Sequence, residues 1–283
     1  MFRHNFHTHT HYCDGSDAPE AYIRAALSEG LQSLGFSGHA PVPLENHFAI
    51  RDEGSLKKYC DEIRQLKEKY AGKINIYLGL EADYIPGVCC DFNLLRNKNR
   101  LEYIIGSVHL VKNDENRLWF IDGPRRESWE KGLKIDYGGD IKKAVTAYFQ
   151  QVSMMVHTQK PDVIGHLDKI KMHNKDQYFR EDEPWYKRLI AEVLDDIAAS
   201  GCIVEVNSRG LYKKRSDSLF PGVEILMEMK EHNIPATISS DAHRPEEVGK
   251  FLNRAAMSLI YAGYREVYIF EQGEWKAIPL KDD

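Results

Sequence analysis

His7-Thr8-His9-Thr10-His11-Tyr12-Cys13-Asp14-Gly15, the segment HTHTHYCDG, follows a short β-favouring run at residues 2–7. Side chains of a strand alternate between its two faces, so the triplet His7-Thr8-His9 presents both imidazoles on one side, spaced to grip one metal ion. A half-exposed polar strand face has the same spacing, and the triplet alone does not separate the two readings. The rest of the chain does. Almost every other expected strand ends in a residue of the same chemical kind: His39 in SGHAP, Glu81 in LGLEADY, His109 in GSVH, His166 in IGHLD, and Asp241 with His243 in SSDAH. In barrels and open parallel sheets the site is assembled at the C-terminal ends of the strands, so these scattered residues are expected to converge on one mouth.

Outward from these motifs, short β-rich apolar runs alternate with longer amphipathic segments, the pattern of repeated βα units around a parallel sheet. Strands are expected at 2–7, 32–38, 74–81, 102–109, 162–166, 202–207 and 235–240. Helices are expected at about 17–29, 55–70, 140–158, 184–200, 221–232 and 245–262. Asp17 stands as the cap of a helix opening at Ala18-Pro19, with Glu20 at the capping-box spacing and Gly30 as a stop. A long insertion at about 111–139, full of turn signals, separates the fourth strand from its helix, and long loops of this kind carry specificity. Glu266–Leu280 reads as a Gly-turned hairpin that closes or flanks the barrel. The 283 residues, 42% hydrophobic, suit one α/β barrel or two smaller domains. Nothing marks a second domain, so a single domain spanning 1–283 is expected.

Lys plus Arg number 38 against 43 Asp plus Glu, a formal charge of −5. That balance gives no general electrostatic reason for a nucleic-acid or acidic-membrane partner. Cys13, Cys60, Cys89, Cys90 and Cys202 are odd in number and lack CxxC spacing, which argues against a disulfide framework and a thiolate zinc site. No apolar run reaches the roughly 20 residues of a membrane span, and no apolar leader opens the chain, so a cytoplasmic location is expected.

Neutral imidazole with carboxylate and no thiolate suits Zn, Mn or Fe. The six strand-end histidines together with Asp14, Glu81 and Asp241 are too many ligands for one tetrahedral ion. Two or three divalent ions joined by a bridging carboxylate are therefore expected.

The motifs HTHTHYCDG, SGHAP, LGLEADY, GSVH, IGHLD and SSDAH, in this order over nearly the whole chain, resemble those of the polymerase and histidinol phosphatase (PHP) superfamily. With no attached polymerase domains, the chain is similar to the stand-alone histidinol-phosphate phosphatases of that group. The resemblance implies a distorted seven-stranded (β/α) barrel, TIM-barrel-like, with a trinuclear metal site. It implies a first metal on His7, His9, Glu81 and Asp241, a second on Glu81, His109 and His166, and a third on Asp14, His39 and His243, with Glu81 as the bridge. Some members carry a histidine where this chain has Asp14, and His11 lies close enough to compete for that place. The implied activity is metal-dependent hydrolysis of L-histidinol phosphate in histidine biosynthesis.

Phosphate monoester hydrolysis is among the slowest uncatalysed reactions, so the site must both generate a nucleophile and neutralise a dianion. The chain has neither a GxSxG elbow nor a GxxxxGK[ST] loop, which leaves metal-activated water as the expected attacker. Glu81, Asp241 and His243 are the candidate catalytic residues, the last two for assisting the leaving group. Lys169 and Lys171 after IGHLD, and Arg209, Lys213 and Lys214 after Asn207, are candidate phosphate anchors. Asp122, Glu115 and Glu45 are candidates for a substrate ammonium, and His47 for contact with a substrate ring. His4, His157, His173 and His232 read as surface or hydrogen-bonded polar groups. Competing readings are a PHP enzyme acting on another phosphomonoester or on a nucleotide or oligonucleotide phosphodiester, a non-catalytic metal-binding module, and a metal-dependent amidohydrolase. The last usually carries a strand-end bridging lysine, and Lys169 and Lys171 do not occupy a strand end in that way.

Overall fold

The computed structural model describes residues 1–280. In chain order its strands are β1 (His4–Asn5), β2 (Ser33–Phe36), β3 (Asn75–Asp83), β4 (Tyr103–Ser107), a small hairpin of β5 (Leu110–Lys112) and β6 (Leu118–Phe120), then β7 (Val163–Ile164), β8 (Ile203–Asn207), β9 (Ala236–Ser239), and a C-terminal hairpin of β10 (Glu266–Glu271) and β11 (Glu274–Pro279). The helices are α1 (Pro19–Ser28), α2 (Glu53–Lys69), α3 (Phe92–Asn99), α4 (Arg126–Tyr137), α5 (Ile141–Gln159), α6 (Pro184–Ser200), α7 (Arg209–Tyr212), α8 (Val223–Glu231) and α9 (Leu252–Tyr261). Seven strands form one parallel sheet in the order β1-β2-β3-β4-β7-β8-β9. Its two edges meet where Thr8 pairs with Ala242: the Ala242 N–H donates to His7 O at 3.1 Å and the His9 N–H to Ala242 O at 2.8 Å. The sheet is thus a distorted seven-stranded (β/α) barrel. Among the described residues no helix is long and apolar enough to cross a membrane.

The barrel interior is graded along its axis. On β3 the inward positions recur every second residue, Tyr77, Gly79, Glu81 and Asp83. Tyr77 joins Phe6, Tyr103, Ile105, Val163 and Ile203 in an apolar cluster at the N-terminal end of the barrel, capped by Ile269 and Phe270 of β10. Phe270 and Trp275 pack edge-on against this cluster, Phe270 at 5.1 Å from Tyr77 and Trp275 at 5.3 Å from Phe6, centroid to centroid. The C-terminal hairpin is therefore the floor of the barrel. Tyr103 crosses the interior only because two positions lack a side chain: a Cβ on Gly35 would lie 2.3 Å from its hydroxyl, and one on Gly79 2.5 Å from its ring. Its hydroxyl lies 2.6 Å from Phe6 O and 3.2 Å from Phe36 O, so its polar end is satisfied inside the core.

Several local expectations are corrected. The cap of α1 is Ala18, without a side-chain hydrogen bond; the Asp17 carboxylate accepts the Ser16 hydroxyl instead, while Asp17 O takes the His11 N–H. The turn that presents the ligand segment thus competes with the helix for Asp17 and wins. α3 was not expected; it forms on an Asp91 cap that accepts the Leu94 N–H at 2.9 Å. The expected helix at 245–262 is a 3₁₀ turn, Pro245–Glu247, followed by α9, because Phe251 adopts a left-handed backbone at φ 58°. The insertion after β4 is structured rather than open. Trp119 packs on Trp129 and Tyr137, all three continuous with the main hydrophobic core, and its indole N–H donates to Trp129 O at 3.1 Å.

Candidate metal centre

Pairing of Thr8 with Ala242 sets two alternating segments side by side, His7-Thr8-His9 and Asp241-Ala242-His243. Thr8 and Ala242 are spent on the shared ladder, and the four flanking side chains turn to one face. Asp241 and His166 hold left-handed backbones, φ 52° and 27°, conformations that non-glycine residues rarely keep without a structural demand. In both places the strand has just ended and the turn aims the ligand atom into the barrel mouth.

Glu81 is the hub. One carboxylate oxygen, Oε2, lies 3.1 Å from His7 Nε2, 3.3 Å from His9 Nε2 and 3.3 Å from His39 Nδ1. The other, Oε1, lies 3.0 Å from His166 Nε2 and 3.6 Å from His109 Nε2, and accepts the Ser107 hydroxyl at 2.6 Å. Asp241 Oδ1 stands 3.4 Å from His9 Nε2 and 3.8 Å from His7 Nε2. Around the third corner, Asp14 reaches His9 Nδ1 at 3.3 Å, His243 Nε2 at 3.1 Å and His39 Nε2 at 4.0 Å. Four ligand groups result: His7, His9 and Glu81; Glu81, His109 and His166; His39, Asp83 and His109; and His9, Asp14, His39 and His243. His11 is turned outward, with its ring 3.3 Å from Asp17 O.

These residues fit divalent cations. His7 Nε2, His9 Nε2 and Asp241 Oδ1 are buried side by side without a hydrogen-bond partner, an expensive arrangement that a shared cation relieves. The electrostatics agree. Burial alone would lower the His7 pKa, but the Glu205, Glu81 and Asp241 carboxylates push it up to about 10. In His39 burial is outweighed by Glu81 and Asp14, and the pKa rises to about 9. In His243 burial is reinforced by His9 and Arg209, and the pKa falls to about 4. Imidazoles that cling to protons mark a pocket with surplus negative charge, and metal binding displaces such protons.

Sequence reasoning missed three carboxylates that hold the ligands. Asp83 sits between two of them, 2.6 Å from His109 Nδ1, which leaves His109 Nε2 facing the centre, and 3.4 Å from His39 Nδ1, which also lies against Glu81. Glu205 lies 2.5 Å from His7 Nδ1, and also accepts the His166 N–H at 3.0 Å, the Asn207 amide at 3.0 Å and the Ser239 hydroxyl. Glu247 accepts the His243 N–H at 2.9 Å and the Lys213 ammonium at 2.8 Å. Asp83 was recoverable, being two residues beyond Glu81 on the same strand face. So was Glu205, a carboxylate in the apolar run IVEVN. No local signal marks Glu247, whose cationic partners Lys213 and Arg209 come from another segment.

The centre opens into a cleft of about 940 Å³ lined by Asp14, Glu81, Asp241 and His243 on its floor, and by Lys169, Arg209, Asp122, His47, Glu45 and Lys213 around them. Lys169 lies 3.0 Å from Asp122 and 3.8 Å from Asp241; burial works against its charge, but Asp122, Asp241 and Glu81 hold it protonated. The Arg209 guanidinium donates to Asp241 O at 2.8 Å and lies 3.4 Å from Glu247. The structure does not bring Lys171 or Glu115 to the cleft. Lys171 is paired with Asp168 at 2.6 Å and Glu181 at 3.1 Å, and exposed Glu115 is bound to Arg117. Lys214 is likewise absent from the cleft lining. Sequence reasoning counted no cysteine phosphatase loop, but Cys90 and Arg96 do have its five-residue spacing; Arg96 is nonetheless locked to Asp162 at 2.5 Å and Cys90 lies in a separate groove beside α2 and α3.

A (β/α) barrel whose strand ends pool imidazoles and carboxylates around a shared glutamate defines a metal-dependent barrel hydrolase. The particular family follows from comparison: the chain matches the PHP domain over residues 5–209 and a PHP-associated segment over residues 228–258, and it belongs to the PHP family. It is 30% identical to the "probable histidinol-phosphatase" of Deinococcus radiodurans over 86% of this chain and 87% of that one. It is 28% identical to the histidinol-phosphatase of Bacillus subtilis, over 88% of this chain and 96% of that one. The histidinol phosphate phosphatase of Lactococcus lactis, solved with zinc, L-histidinol and phosphate, shares the fold at a TM-score of 0.70 with 19% identity, over 97% of this chain and 98% of that one.

Proposed function

We propose that this chain hydrolyses L-histidinol phosphate to L-histidinol and phosphate, a step of histidine biosynthesis. The observation that carries the proposal is the shared Glu81 at the base of a cleft that also holds two buried cations, Lys169 and Arg209. The relatives named for the same reaction support the choice of substrate. His7, His9, Glu81 and Asp241 would hold a first divalent ion, Glu81, His109 and His166 a second, and Asp14, His39 and His243 a third. Zinc, manganese and iron all suit that donor set. Such ions, when bound, supply Lewis acidity to the phosphoryl group and acidify water to a usable nucleophile.

The chain's own residues supply the rest. Lys169 and Arg209, both beside Asp241, present positive charge to the phosphate dianion. Asp122 keeps Lys169 charged and aimed, and stands 3.8 Å from His109 Nε2, between the metal floor and the outer cleft. Asp241 and His243 are the residues assigned to assist the leaving oxygen, His243 held by Asp14 on one nitrogen and by Asp241 O, at 3.1 Å, on the other. Asp83 and Glu205 fix the imidazole orientations. A single domain spanning 1–283, a cytoplasmic location and action without a nucleic-acid partner belong to the same proposal.

The test is phosphate release by purified, metal-analysed protein from L-histidinol phosphate beside other phosphomonoesters and a phosphodiester. The expected result is a kcat/KM for L-histidinol phosphate well above the others, abolished by chelation and restored by a divalent ion. A flat profile across phosphomonoesters removes the substrate assignment, and no turnover with metals in place removes the enzyme.

A further inference from the structure

Beside the metal ligands, the cleft has an apolar wall. It is formed by Val42, Leu44 and Phe48 from the loop after β2 and by Leu110, Leu118 and Phe120 from the β5–β6 hairpin. The two loops meet in one ring contact: Phe48 stacks on Phe120, centroids 5.7 Å apart and planes inclined by 13°. Phe48 is also edge-on to His39 at 5.1 Å, so the wall begins one ring away from the metal centre. Both rings are placed by hydrogen bonds. Asn46 Oδ1 accepts the N–H groups of Phe48 at 3.2 Å and Ala49 at 2.8 Å, and the residue after Phe120, Ile121, donates its N–H to His109 O at 2.9 Å. Phe120 nevertheless leaves 38% of its surface exposed. An open aromatic face held beside a charged floor is a binding surface rather than a packing one.

The carboxylates of the cleft add a second element. Asp14, Glu81 and Asp241 face imidazoles, and Asp122 faces Lys169. Glu45 lines the same cleft and makes no ion pair among the described residues. It is three residues from Phe48 on the same loop. A wet rim carboxylate beside an aromatic face is suited to a ligand that carries an ammonium next to a flat ring.

We propose that Phe48, Phe120 and Glu45 form a leaving-group subsite that selects phosphomonoesters whose alcohol carries a planar ring and an ammonium group. The subsite deepens the histidinol-phosphatase reading and rests on it for the position of the phosphate. Phe48 and Phe120 take the ring, and Glu45 takes the ammonium. The specificity of the site then resides in two loops outside the barrel, while the chemistry remains on the strand ends.

Two measurements separate the subsite from the activity. Calorimetric binding to the metal-loaded protein is compared for L-histidinol, which has ring and ammonium, and ethanolamine, which has the ammonium alone. In parallel, kcat/KM is measured for L-histidinol phosphate, 2-phenylethyl phosphate, phosphoethanolamine and glycerol phosphate. Phe120→Ala is expected to lower L-histidinol affinity, and kcat/KM for the two ring-bearing esters, by about tenfold, with less than about a twofold change for the other two esters. Phe120→Tyr restores the wild-type profile. Glu45→Gln is expected to lower kcat/KM for the two ammonium-bearing esters by about five- to tenfold and to leave 2-phenylethyl phosphate within about twofold. Wild-type protein that binds L-histidinol no better than ethanolamine, or a Phe120→Ala loss equal on all four esters, overturns the subsite even if hydrolysis is confirmed. Phe120-dependent L-histidinol binding without turnover upholds the subsite and sinks the activity instead.

Discussion

At one end of the barrel Phe6, Tyr77, Tyr103 and Ile105 close around Phe270 of the C-terminal hairpin; at the other, further along the same strands, stand His7, Glu81 and Ser107. On β3 the change takes four residues, from Tyr77 through Gly79 to Glu81. On β8 it takes two, from Ile203 to Glu205. Neither end is more buried than the other, since Glu81 and Tyr103 are both essentially inaccessible. They differ in how burial is made tolerable. The floor is dry and apolar and its energy comes from ring packing, whereas the mouth gathers carboxylates and imidazoles that are stable only with one another or with cations. The floor carries stability and the mouth carries chemistry, so damage at each end should appear in different measurements.

The largest expected effect is at the mouth. Glu81→Ala removes the ligand common to two groups and should lower kcat/KM by about 10³-fold or more, with metal content falling in parallel by elemental analysis. Full metal content with activity within about tenfold of wild type would displace Glu81 from the bridging position. At the floor, Phe270→Ala should cost about 3 kcal/mol in urea unfolding while leaving kcat/KM of the folded enzyme within about twofold, since the two ends are separate packing units. A tenfold kinetic loss there would mean that floor packing governs ligand geometry, and the separation of roles would fail. The smallest effect belongs to the boundary between the ends. Glu205→Gln keeps the shape but weakens the acceptor for His7 and should loosen metal binding by about 10- to 100-fold in a chelator competition. Unchanged metal affinity would make Glu205 part of the floor rather than support for the mouth.

Much of the mouth was legible because its residues are chemically unlike the strands that carry them. A histidine or carboxylate at the end of a β-rich run has no packing reason to be there, and the repetition of that oddity made a site. The floor was legible only as a hairpin with an unspecified position, because Phe270 and Trp275 look like any alternating apolar residues. Asp83 and Glu205 carried the same kind of signal as Glu81 but were passed over, one lying inside a motif already noted for Glu81 and the other inside a strand. Phe48 and Phe120 left no trace, since they are 72 residues apart in sequence and touch only across the cleft. The Asp17 cap failed where a turn partner from outside the helix outcompeted it.

By itself the chain determined the order of βα units, the parallel architecture and the inventory of ligand-type side chains, because periodicity and residue chemistry are local properties. Tertiary structure alone decided which nitrogen of each histidine faces the centre, that Glu81 touches five imidazoles from four different segments, and which charged loop residues reach the cleft. Those outcomes depend on barrel closure at Thr8 and Ala242, a pairing between the two ends of the sheet that fixes the relative height of every strand. Register of that kind is a long-range property, set when the last strand meets the first.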